Sequence, residues 1–354
     1  MSNIRNISIN TKIENEDDNY YDIVIGNGIL GKLSSYIASA YTGKKIAVIT
    51  DEKVFGIYGE KVRQQLESSG YKLTFVVVPA GEHSKSLEYV QSIYSNLIND
   101  HITRTDLIIA LGGGVVGDLA GFVAATYLRG VPFIQIPTTL LAQVDSSIGG
   151  KVAVNLPEGK NLVGCFYNPI LVFIDVDFLS TLPSEYISEG MAEVIKYACI
   201  EDAEFFKYLE ELNRSDLPEA FEQIVHKCCS IKKKYVEEDP FDKGERLKLN
   251  FGHTIGHAIE KYYNYSEYTH GQAVAIGMYN IVLETENSGY TQEGTAQRLK
   301  NILENYNLDW QMPDIPEDSL KDIMKKDKKN FSEKLNFIYL KSIGNSNIVT
   351  KYLI

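Results

Sequence analysis

A short segment in the second half of the chain carries two histidines at a spacing typical of metal sites. In NFGHTIGHAIE, His253 and His257 are four residues apart, so in a helix both imidazoles project from the same face. A third histidine, His270, follows in THGQAVAIGM, and the upstream segment EGMAEVIKY contributes the carboxylates of Glu189 and Glu193. Imidazole nitrogens and carboxylate oxygens are ligands of divalent metals. The spacing therefore predicts a metal site, although two histidines also share a helix face by chance when they only pack there.

Two glycine-rich turns offer possible binding sites for a dinucleotide. One is GNGILG, residues 26–31, after the predicted strand YDIVI; the other is GGGVVGD, residues 112–118, after DLIIALG. Backbone amides at a helix N-terminus can approach a diphosphate only where side chains leave room. Asp51, after KKIAVIT, lies at the usual distance beyond the first turn to bind a ribose hydroxyl. We nevertheless expect the second turn to bind the dinucleotide, because its three consecutive glycines allow a closer approach of the backbone. Asp51 could still reach a nucleotide there, because parallel strands bring their carboxyl ends to the same edge of the sheet.

Basic residues recur around these motifs. A Gly-rich stretch, PTTLLAQVDSSIGGKVAVNLPEGKNLVG, interrupts the alternation of strands and helices, and long loops of this kind often carry function. Basic residues that could contribute to one site, in this stretch and in the second half, include Lys151, Lys160, Lys196, the run 232–234, Arg246, Lys328 and Lys329. Each lysine alone is most simply a solvated surface group. If they converge on the histidine site, they form an anion-binding pocket.

Composition restricts the class of protein and its partners. The 354 residues include 44% hydrophobic and 23% charged residues, which is typical of soluble globular proteins and long enough for two domains. A net charge of -12 opposes nonspecific binding to nucleic acid or to an anionic membrane. The four cysteines follow no paired or framework spacing, and no apolar run reaches the length needed to cross a bilayer. We therefore expect a cytoplasmic protein that acts on a small molecule, with neither nucleic acid nor membrane as a partner.

The elements that must position these residues fall into two regions. Short apolar runs alternate with helical patterns up to about Asp175, which predicts a mostly parallel sheet covered on both faces by helices. The predicted strands are YDIVIG, KKIAVIT, YKLTFVVVP, DLIIALG, PFIQIP and ILVFID. Beyond Pro183 amphipathic helical spacing dominates, over 185–200, 203–213, 217–238, 246–263, 269–288, 293–304 and 317–329. A terminal pair, KLNFIYL and NIVTKYLI, predicts a small hairpin.

Five motifs together resemble one known family. GGGVVGD, PTTLLAQVDSSIGGK, EGMAEVIKY, the segment from Arg246 to Glu260 and THGQAVA occur in the order, and roughly the spacing, of the 3-dehydroquinate synthases. The resemblance covers nearly the whole chain, and agreement of five motifs is far more specific than any one of them. It implies an α/β fold with a Rossmann-like NAD-binding domain over residues 1–182 and a mainly α metal- and substrate-binding domain over 183–354. It also implies an active site in the cleft between the domains, and a homodimer.

The resemblance assigns the metal differently from the histidine spacing. It implies that Glu193, His253 and His270 bind a divalent metal, zinc or cobalt, whereas His257 faces the substrate. Bound NAD is also implied. The residues that would hold NAD are Asp51, Glu82, Lys85, Gly113, Gly114, Val115, Asp118, Thr138, Thr139, Leu141, Lys160, Thr181 and Leu182.

The substrate implied by the resemblance is a sugar acid with two anionic ends, 3-deoxy-D-arabino-heptulosonate 7-phosphate. Oxidation at C5 would acidify the proton at C6, phosphate would leave from C7, and reduction followed by ring closure would give 3-dehydroquinate, so that NAD is not consumed. The residues implied around the substrate are Asp145, Lys151, Asn161, Lys196, Lys232, Arg246, Asn250 and His257, with Lys328 or Lys329 near the phosphate. Arg129 would reach the phosphate bound by the neighbouring subunit.

Some positions depart from the family pattern or leave a choice open. Asp242 stands where the family usually has Glu, and Lys248 replaces a common Leu. Within the run 232–234, a small helix shift would exchange one lysine for another. Glu189 and Glu260 become either solvent-facing carboxylates or carboxylates that support the metal ligands. None of these positions removes an implied ligand, so the activity is expected to be intact.

Other functions remain as alternatives. A different sugar phosphate cyclase would share the NAD and metal motifs, and only the joint presence of Lys151, Asn161, Arg246, Asn250 and His257 favours a dehydroquinate synthase. A metal-dependent glycerol or alcohol dehydrogenase of similar architecture would release NADH. A noncatalytic NAD-binding protein would require disabled ligands, and the sequence contains none.

Overall fold

The computed structural model describes residues 4–11, 19–329 and 334–352. The chain divides into two compact units, Met1–Leu182 with Phe221–Phe241, and Pro183–Ala220 with Asp242–Ile354. The strands are β1 (Arg5–Thr11), β2 (Asn19–Gly26), β3 (Lys45–Asp51), β4 (Lys72–Val78), β5 (Leu107–Gly112), β6 (Phe133–Pro137), β7 (Lys151–Leu156), β8 (Gly159–Phe166), β9 (Leu171–Asp175), β10 (Lys334–Ser342) and β11 (Asn345–Tyr352). The helices are α1 (Leu33–Ala40), α2 (Glu52–Val54), α3 (Glu60–Glu67), α4 (Leu87–Asn99), α5 (Gly114–Thr126), α6 (Ser184–Glu201), α7 (Ala203–Glu211), α8 (Leu217–Glu238), α9 (His253–Tyr262), α10 (His270–Asn287), α11 (Thr295–Asn305) and α12 (Glu317–Lys329).

The first unit is built on a seven-stranded sheet with the order β1-β2-β9-β6-β5-β3-β4. Strand β1 runs antiparallel to β2, and the remaining neighbours are parallel. Alternate residues of β3 enter two separate apolar clusters, with Ala47 in one and Val48 in the other, so both faces of the sheet are covered. The six strands predicted from apolar runs are all present, because strands buried on both faces need continuous apolar sequence.

The order of the strands defines one edge of this sheet as the place for a ligand. The chain passes from β3 outward to β4 and then returns to the other side of β3 to form β5. A crevice opens where the direction of winding reverses, at the carboxyl ends of the strands. Thr50 of β3 pairs with Leu111 of β5, and Gly112 pairs with Pro137 of β6. Asp51, the last residue of β3, and the second glycine turn, which starts at the end of β5, therefore lie at the ends of neighbouring strands.

Three elements of the first unit differ from the sequence predictions. Strand β1 was not predicted, and the Gly-rich stretch that was expected to be a loop forms the antiparallel hairpin β7–β8. Most of α8 belongs to this unit, whereas the predicted boundary at Pro183 placed it in the second domain. The physical reason is contacts between residues distant in sequence: Lys232 forms an ion pair with Asp145, and the backbone amide of Asn10 donates to Glu237 at 2.8 Å.

The second unit contains α6, α7, α9 to α12 and the hairpin β10–β11, which the sequence predicted. The predicted helix over 246–263 is interrupted. A short 3₁₀ turn, Glu245–Asn250, precedes α9, and Gly252 between them has a φ of 80°. This left-handed conformation favours glycine and ends one helical segment before the next begins. No helix within the described residues is both long and apolar enough to cross a membrane.

Candidate metal centre and nucleotide-binding turns

Three helices of the second unit bring a carboxylate and two imidazoles together. Glu193 on α6, His253 on α9 and His270 on α10 each place one ligand atom within 4.8 Å of the others. Glu193 Oε1 lies 3.5 Å from His253 Nε2 and 3.6 Å from His270 Nε2. Zinc bonds of about 2.0–2.2 Å in tetrahedral geometry require separations of this order between donor atoms. The donor set and its spacing therefore fit a divalent metal such as zinc or cobalt.

The small residues at the helix crossings explain why these side chains converge. A Cβ added to Gly277 of α10 would lie 2.1 Å from the carbonyl oxygen of Gly252, just before α9. A Cβ at Gly271 would lie 2.4 Å from the carbonyl oxygen of Glu189 on α6. Thr269 and Gln272 form a capping box that fixes His270 as the first residue of α10. Larger residues at either glycine would separate the helices and therefore the ligand atoms.

The charges around the cluster favour a bound cation. Burial lowers the pKa of His253 to about 3, so its imidazole is neutral at pH 7 and keeps a lone pair for a metal. Burial also lowers the pKa of His270, but the hydrogen bonds and charges of Glu193 and Glu260 outweigh it and raise the pKa to about 10. Two carboxylates thus attract positive charge to one point. Lys196, itself buried, contacts the other oxygen of Glu193, Oε2.

Both histidines of the cluster are oriented through their second ring nitrogen. His253 Nδ1 lies 3.1 Å from the carbonyl oxygen of Phe251, and His270 Nδ1 lies 3.3 Å from Glu260 Oε2. Such contacts fix each imidazole so that its Nε2 faces Glu193 Oε1, where a metal would be held. Glu260 is 3% exposed, so it supports a ligand and does not face solvent. The ring of His257 is exposed and lies 5.4 Å from the ring of His253, outside the first trio of donors.

Replacing Glu260 by glutamine is expected to weaken metal binding by about 10- to 100-fold while the fold is retained, because a supporting carboxylate typically contributes that much. Metal affinity is measured by competition with a chelator. The matched control is Glu267→Gln on the neighbouring exposed segment, which should bind metal like the unsubstituted protein. Unchanged affinity in Glu260→Gln would contradict the supporting role.

The first glycine turn of the first unit is filled by one of the protein's own carboxylates. Asp175, at the end of β9, accepts hydrogen bonds from the backbone amides of Gly28 at 2.7 Å and Leu30 at 2.8 Å. Burial raises the pKa of Asp175, and the donated amide hydrogen bonds act in the opposite direction. The amides that a diphosphate would need are therefore occupied. This contact supports the expectation that the second turn, and not the first, binds a dinucleotide.

The second glycine turn has the geometry of a nucleotide cradle. Gly113 caps the N-terminus of α5, at the carboxyl end of the central strand β5. A Cβ at Gly113 would lie 3.0 Å from the Thr139 side chain, and a Cβ at Gly114 would lie 2.9 Å from Ser146 Oγ. Side chains at these positions would close the space above the helix N-terminus, where anions bind. These residues fit a dinucleotide such as NAD.

The other predicted NAD residues lie around the same edge of the sheet. Those at or beyond the carboxyl ends of β3, β4, β6 and β9 are Asp51, Glu82, Lys85, Thr138, Thr139, Leu141, Thr181 and Leu182. Val115 and Asp118 lie in the first turns of α5, and Lys160 lies on β8. Tyr58 Oη lies 2.5 Å from Thr181 Oγ1, which joins the segments after β3 and β9.

An unpredicted residue, Asn155 on β7, connects several of these side chains. Its amide donates to Glu82 Oε1 at 2.7 Å and accepts from the backbone amide of Asn161 at 2.9 Å. Lys85 Nζ donates to Asp118 Oδ2 and to Asn161 Oδ1, both at 2.5 Å. Burial raises the pKa of Asp118, while the charge of Lys85 lowers it. Asn161, predicted to contact substrate, is thus held among predicted NAD residues.

The predicted anion-binding residues are distributed over both units. In the first, Lys232 is buried and its Nζ lies 2.6 Å from Asp145 Oδ1, whereas Lys233 pairs with Glu237 at 3.8 Å. This geometry favours Lys232 as the functional residue of the run. Also in the first unit, Lys151, the first residue of β7, is exposed.

In the second unit, Arg246 is 2% exposed and Asn250 ends the same 3₁₀ turn. Lys248, which departs from the family pattern, forms an ion pair with Glu245 at 2.6 Å, so its charge has a partner nearby in the sequence. Asp242, half-buried, has a left-handed φ of 58°. The side chains of Lys328 and Lys329, at the end of α12, lie outside the described residues.

Comparison with solved structures places this fold among NAD- and metal-containing enzymes. A 2-deoxy-scyllo-inosose synthase, solved with carbaglucose-6-phosphate, NAD+ and Co2+, has a TM-score of 0.86 and 26% identity, with 98% of this chain and 97% of that chain covered. The 2-epi-5-epi-valiolone synthase of Streptomyces hygroscopicus, solved with NAD+ and Zn2+, has a TM-score of 0.88 and 25% identity, with coverage of 97% and 96%. A glycerol dehydrogenase from Schizosaccharomyces pombe shares the fold at a TM-score of 0.61 and 20% identity, covering 84% and 80%.

Sequence comparison gives the family. The family model for the N-terminal part of 3-dehydroquinate synthase matches residues 75–189, and the model for its C-terminal part matches residues 190–330. The 3-dehydroquinate synthase of Clostridium acetobutylicum is 50% identical over 327 residues, covering 92% of each chain. That of Enterococcus faecalis is 46% identical over 331 residues, covering 93% of this chain and 92% of the relative. With the two family models together matching residues 75–330 and relatives at this identity, the chain belongs to the 3-dehydroquinate synthase family.

Proposed function

We propose that this chain converts 3-deoxy-D-arabino-heptulosonate 7-phosphate into 3-dehydroquinate and phosphate, a step of the shikimate pathway. Membership of the family supports this reaction. The observation that carries the proposal is the convergence of Glu193, His253 and His270 on one point. Two solved structures that share the fold of this chain contain NAD+ together with Co2+ or Zn2+, which supports the same cofactors for this chain.

Two cofactors would supply chemistry that the side chains of the protein cannot provide. NAD, when bound, supplies a hydride acceptor that later returns the hydride. A divalent metal held by Glu193, His253 and His270 supplies positive charge that makes a substrate hydroxyl easier to deprotonate. We propose that NAD lies on the second glycine turn, with Asp51, Thr138 and Thr181 beside it. The residues proposed to hold NAD are otherwise those named in the sequence analysis.

Basic side chains would bind the two anionic ends of the substrate. Lys232 and Arg246 are both nearly inaccessible to solvent, and a buried cation binds a carboxylate or phosphate more strongly than an exposed one. The carboxylate of Asp145 accepts a hydrogen bond from Lys232 Nζ at 2.6 Å and orients it. Lys196 would act in the same way beside Glu193. Lys151, Asn161 and Asn250 would complete the substrate contacts.

His257 is proposed to move protons during the reaction. Its imidazole is exposed on α9, with its ring 6.0 Å from the ring of His270. An imidazole exchanges protons close to neutral pH, so it can both accept and return a proton at a substrate oxygen. Its neighbour His253 is less suited to this task, because burial keeps its pKa at about 3.

We further propose a homodimer in which Arg129 reaches the phosphate bound by the partner subunit. Leu128 and Arg129 have left-handed φ values of 50° and 66°, which side chains rarely adopt. The guanidinium of Arg104 donates to the carbonyl oxygen of Leu128 at 3.0 and 2.7 Å and holds this turn. Strained backbone of this kind concentrates at functional sites. The exposed Arg129 side chain is therefore presented to a ligand or partner.

Replacing Arg129 by alanine is expected to weaken substrate binding by about tenfold or more, because one charge-assisted contact is lost. Affinity for NAD should stay within about twofold, since the guanidinium is expected to touch only phosphate. Both affinities are measured by calorimetry, with Arg214→Ala as the control, because Arg214 is exposed and lies in the other unit. A selective loss of NAD binding would reject the role.

The domain assignment and location also belong to the proposal. We assign NAD binding to residues 1–182, joined by the part of α8 that packs with them, and metal binding to the helical remainder.

A cytoplasmic location is supported by the cysteines: Cys199 and Cys229 are buried, and burial raises the pKa of Cys229 to about 12. Such thiols are inert packing residues, as expected for a reducing compartment.

One assay tests the proposed reaction against its alternatives. Purified protein is incubated with NAD, Zn2+ or Co2+ and the heptulosonate phosphate, and phosphate and NADH are followed together. Phosphate release without net NADH, with 3-dehydroquinate as product, is expected. Turnover of glucose 6-phosphate would favour a cyclase like the inosose synthase, and accumulation of NADH with glycerol would favour a dehydrogenase. Either result in place of the expected one would overturn the proposal.

A further inference from the structure

The hairpin β7–β8 contains an irregularity that aims one side chain. Val154 pairs with Val163 and Leu156 pairs with Gly159, so that a single residue, Asn155, faces the three residues 160–162. Asn161, in the middle of these three, has a φ of 57°, a conformation that asparagine tolerates better than most residues. Bulges of this type redirect side chains and recur beside active sites.

The amide of Asn155 compensates for the pairing lost at the bulge. Its Oδ1 accepts from the backbone amide of Asn161 at 2.9 Å. Its Nδ2 donates to Glu82 Oε1 at 2.7 Å, and its backbone amide donates to the carbonyl oxygen of Lys85 at 2.8 Å. Asn155 therefore contacts three predicted site residues, although it is not itself predicted to touch a ligand.

The contacts close a ring of hydrogen bonds. Lys85 is 5% exposed, and its Nζ donates to Asn161 Oδ1 at 2.5 Å. The ring thus runs from Asn155 to Asn161, from Asn161 to Lys85, and from Lys85 back to Asn155. Lys85 Nζ also pairs with Asp118 on α5, the helix whose N-terminus forms the second glycine turn. Each member is hydrogen-bonded to the other two, so a displacement of one residue displaces the others.

We propose that Asn155 is a positioning residue that couples the nucleotide residues Glu82 and Lys85 to the substrate residue Asn161. The inference rests on the proposed function for the roles of those three residues. NAD bound against Glu82 and Lys85 fixes the ring, and the fixed ring presents Asn161 to the substrate. NAD and substrate then strengthen each other's binding, and the strengthening is reciprocal.

The test separates this coupling from simple structural support. The affinity of a nonreacting phosphonate analogue of the heptulosonate phosphate is measured with and without NAD, and the ratio is the coupling factor. Asn155→Asp keeps the acceptor for the Asn161 amide, but it loses the donor to Glu82 and places two carboxylates together. We expect the coupling factor to fall by about tenfold in Asn155→Asp and in Asn155→Leu.

A rescue variant provides the decisive comparison. In Asn155→Asp combined with Glu82→Gln, the new amide at position 82 can donate to the new carboxylate at position 155, so the hydrogen bond is restored in the reverse direction. The coupling factor should return to within about threefold of that of the Glu82→Gln single variant, which closes the double-mutant cycle. Unfolding midpoints check that all variants fold.

Two results would overturn the inference. The first is an unchanged coupling factor in Asn155→Asp and Asn155→Leu, with NAD and the analogue weakened independently or not at all. The second is a coupling factor of one in the unsubstituted protein. Failure of the proposed function is distinguishable from both, because it appears as analogue binding without formation of 3-dehydroquinate in the turnover assay.

Discussion

His253→Ala is expected to abolish stable metal binding and to lower turnover by about a thousandfold or more, since a metal contributes several kcal/mol to such chemistry. The residue is 9% exposed, and its Nε2 lies 3.5 Å from Glu193 Oε1. Its removal leaves two donors of the trio. Metal content after dialysis is measured by mass spectrometry, and turnover is measured as phosphate release.

The matched control for this experiment is a histidine one helical turn away. His257→Ala is expected to retain the metal but to lose activity, because the exposed imidazole is assigned to the substrate and not to the trio. His257 does lie within 4.8 Å of donors on Glu260 and His270, so the comparison is a real choice between two arrangements. Equal metal loss in the two variants would refute the assignment.

Gly114→Val is expected to weaken NAD binding by about a hundredfold, because the new side chain would crowd the N-terminus of α5. Even a Cβ at this position would lie 2.9 Å from Ser146 Oγ. The backbone amides that would face a diphosphate then become inaccessible. NAD affinity is measured by calorimetry, and metal content should remain unchanged, because the metal donors lie in the other unit.

The first glycine turn supplies the control for Gly114→Val. A Cβ added at Gly31 meets nothing within 4 Å, so Gly31→Val should fold and bind NAD like the unsubstituted protein. A loss of NAD binding in Gly31→Val, with normal binding in Gly114→Val, would show that the nucleotide lies on the first turn. The assignment of the second turn would then be wrong.

Much of the fold was predictable because the burial of a strand determines the pattern of apolar residues in its sequence. Strands β5, β6 and β9 are covered on both faces and therefore read as unbroken apolar runs. The hairpin β7–β8 was missed, since β8 lies outside the main sheet and its residues are half-buried or exposed in no regular order. The grouping of α8 with the sheet was also missed, because it depends on contacts such as the Lys232–Asp145 pair between residues distant in sequence.

The site was predictable by residue type more than by arrangement. Spacing alone paired His253 with His257, because sequence distance cannot show that Glu193 on α6 lies across from α9 and α10; only the resemblance to the family corrected this. The sequence also gave no sign of Asn155, whose role depends on a bulge. The sequence also gave no sign that Asp175 accepts hydrogen bonds from the first glycine turn, because the two are distant in sequence.

The Asp175 contact has a consequence for how the sheet works. Its carboxylate joins the end of β9 to the turn after β2, so one flank of the sheet is pinned by an internal anion. In the turn after β5, the described hydrogen bonds include none from these backbone amides to a carboxylate of the protein. The phosphates of the proposed NAD would bind there. If NAD binds at the second turn as proposed, backbone amides after two strands of this sheet each hold an anion: the Asp175 carboxylate after β2 and a phosphate of NAD after β5.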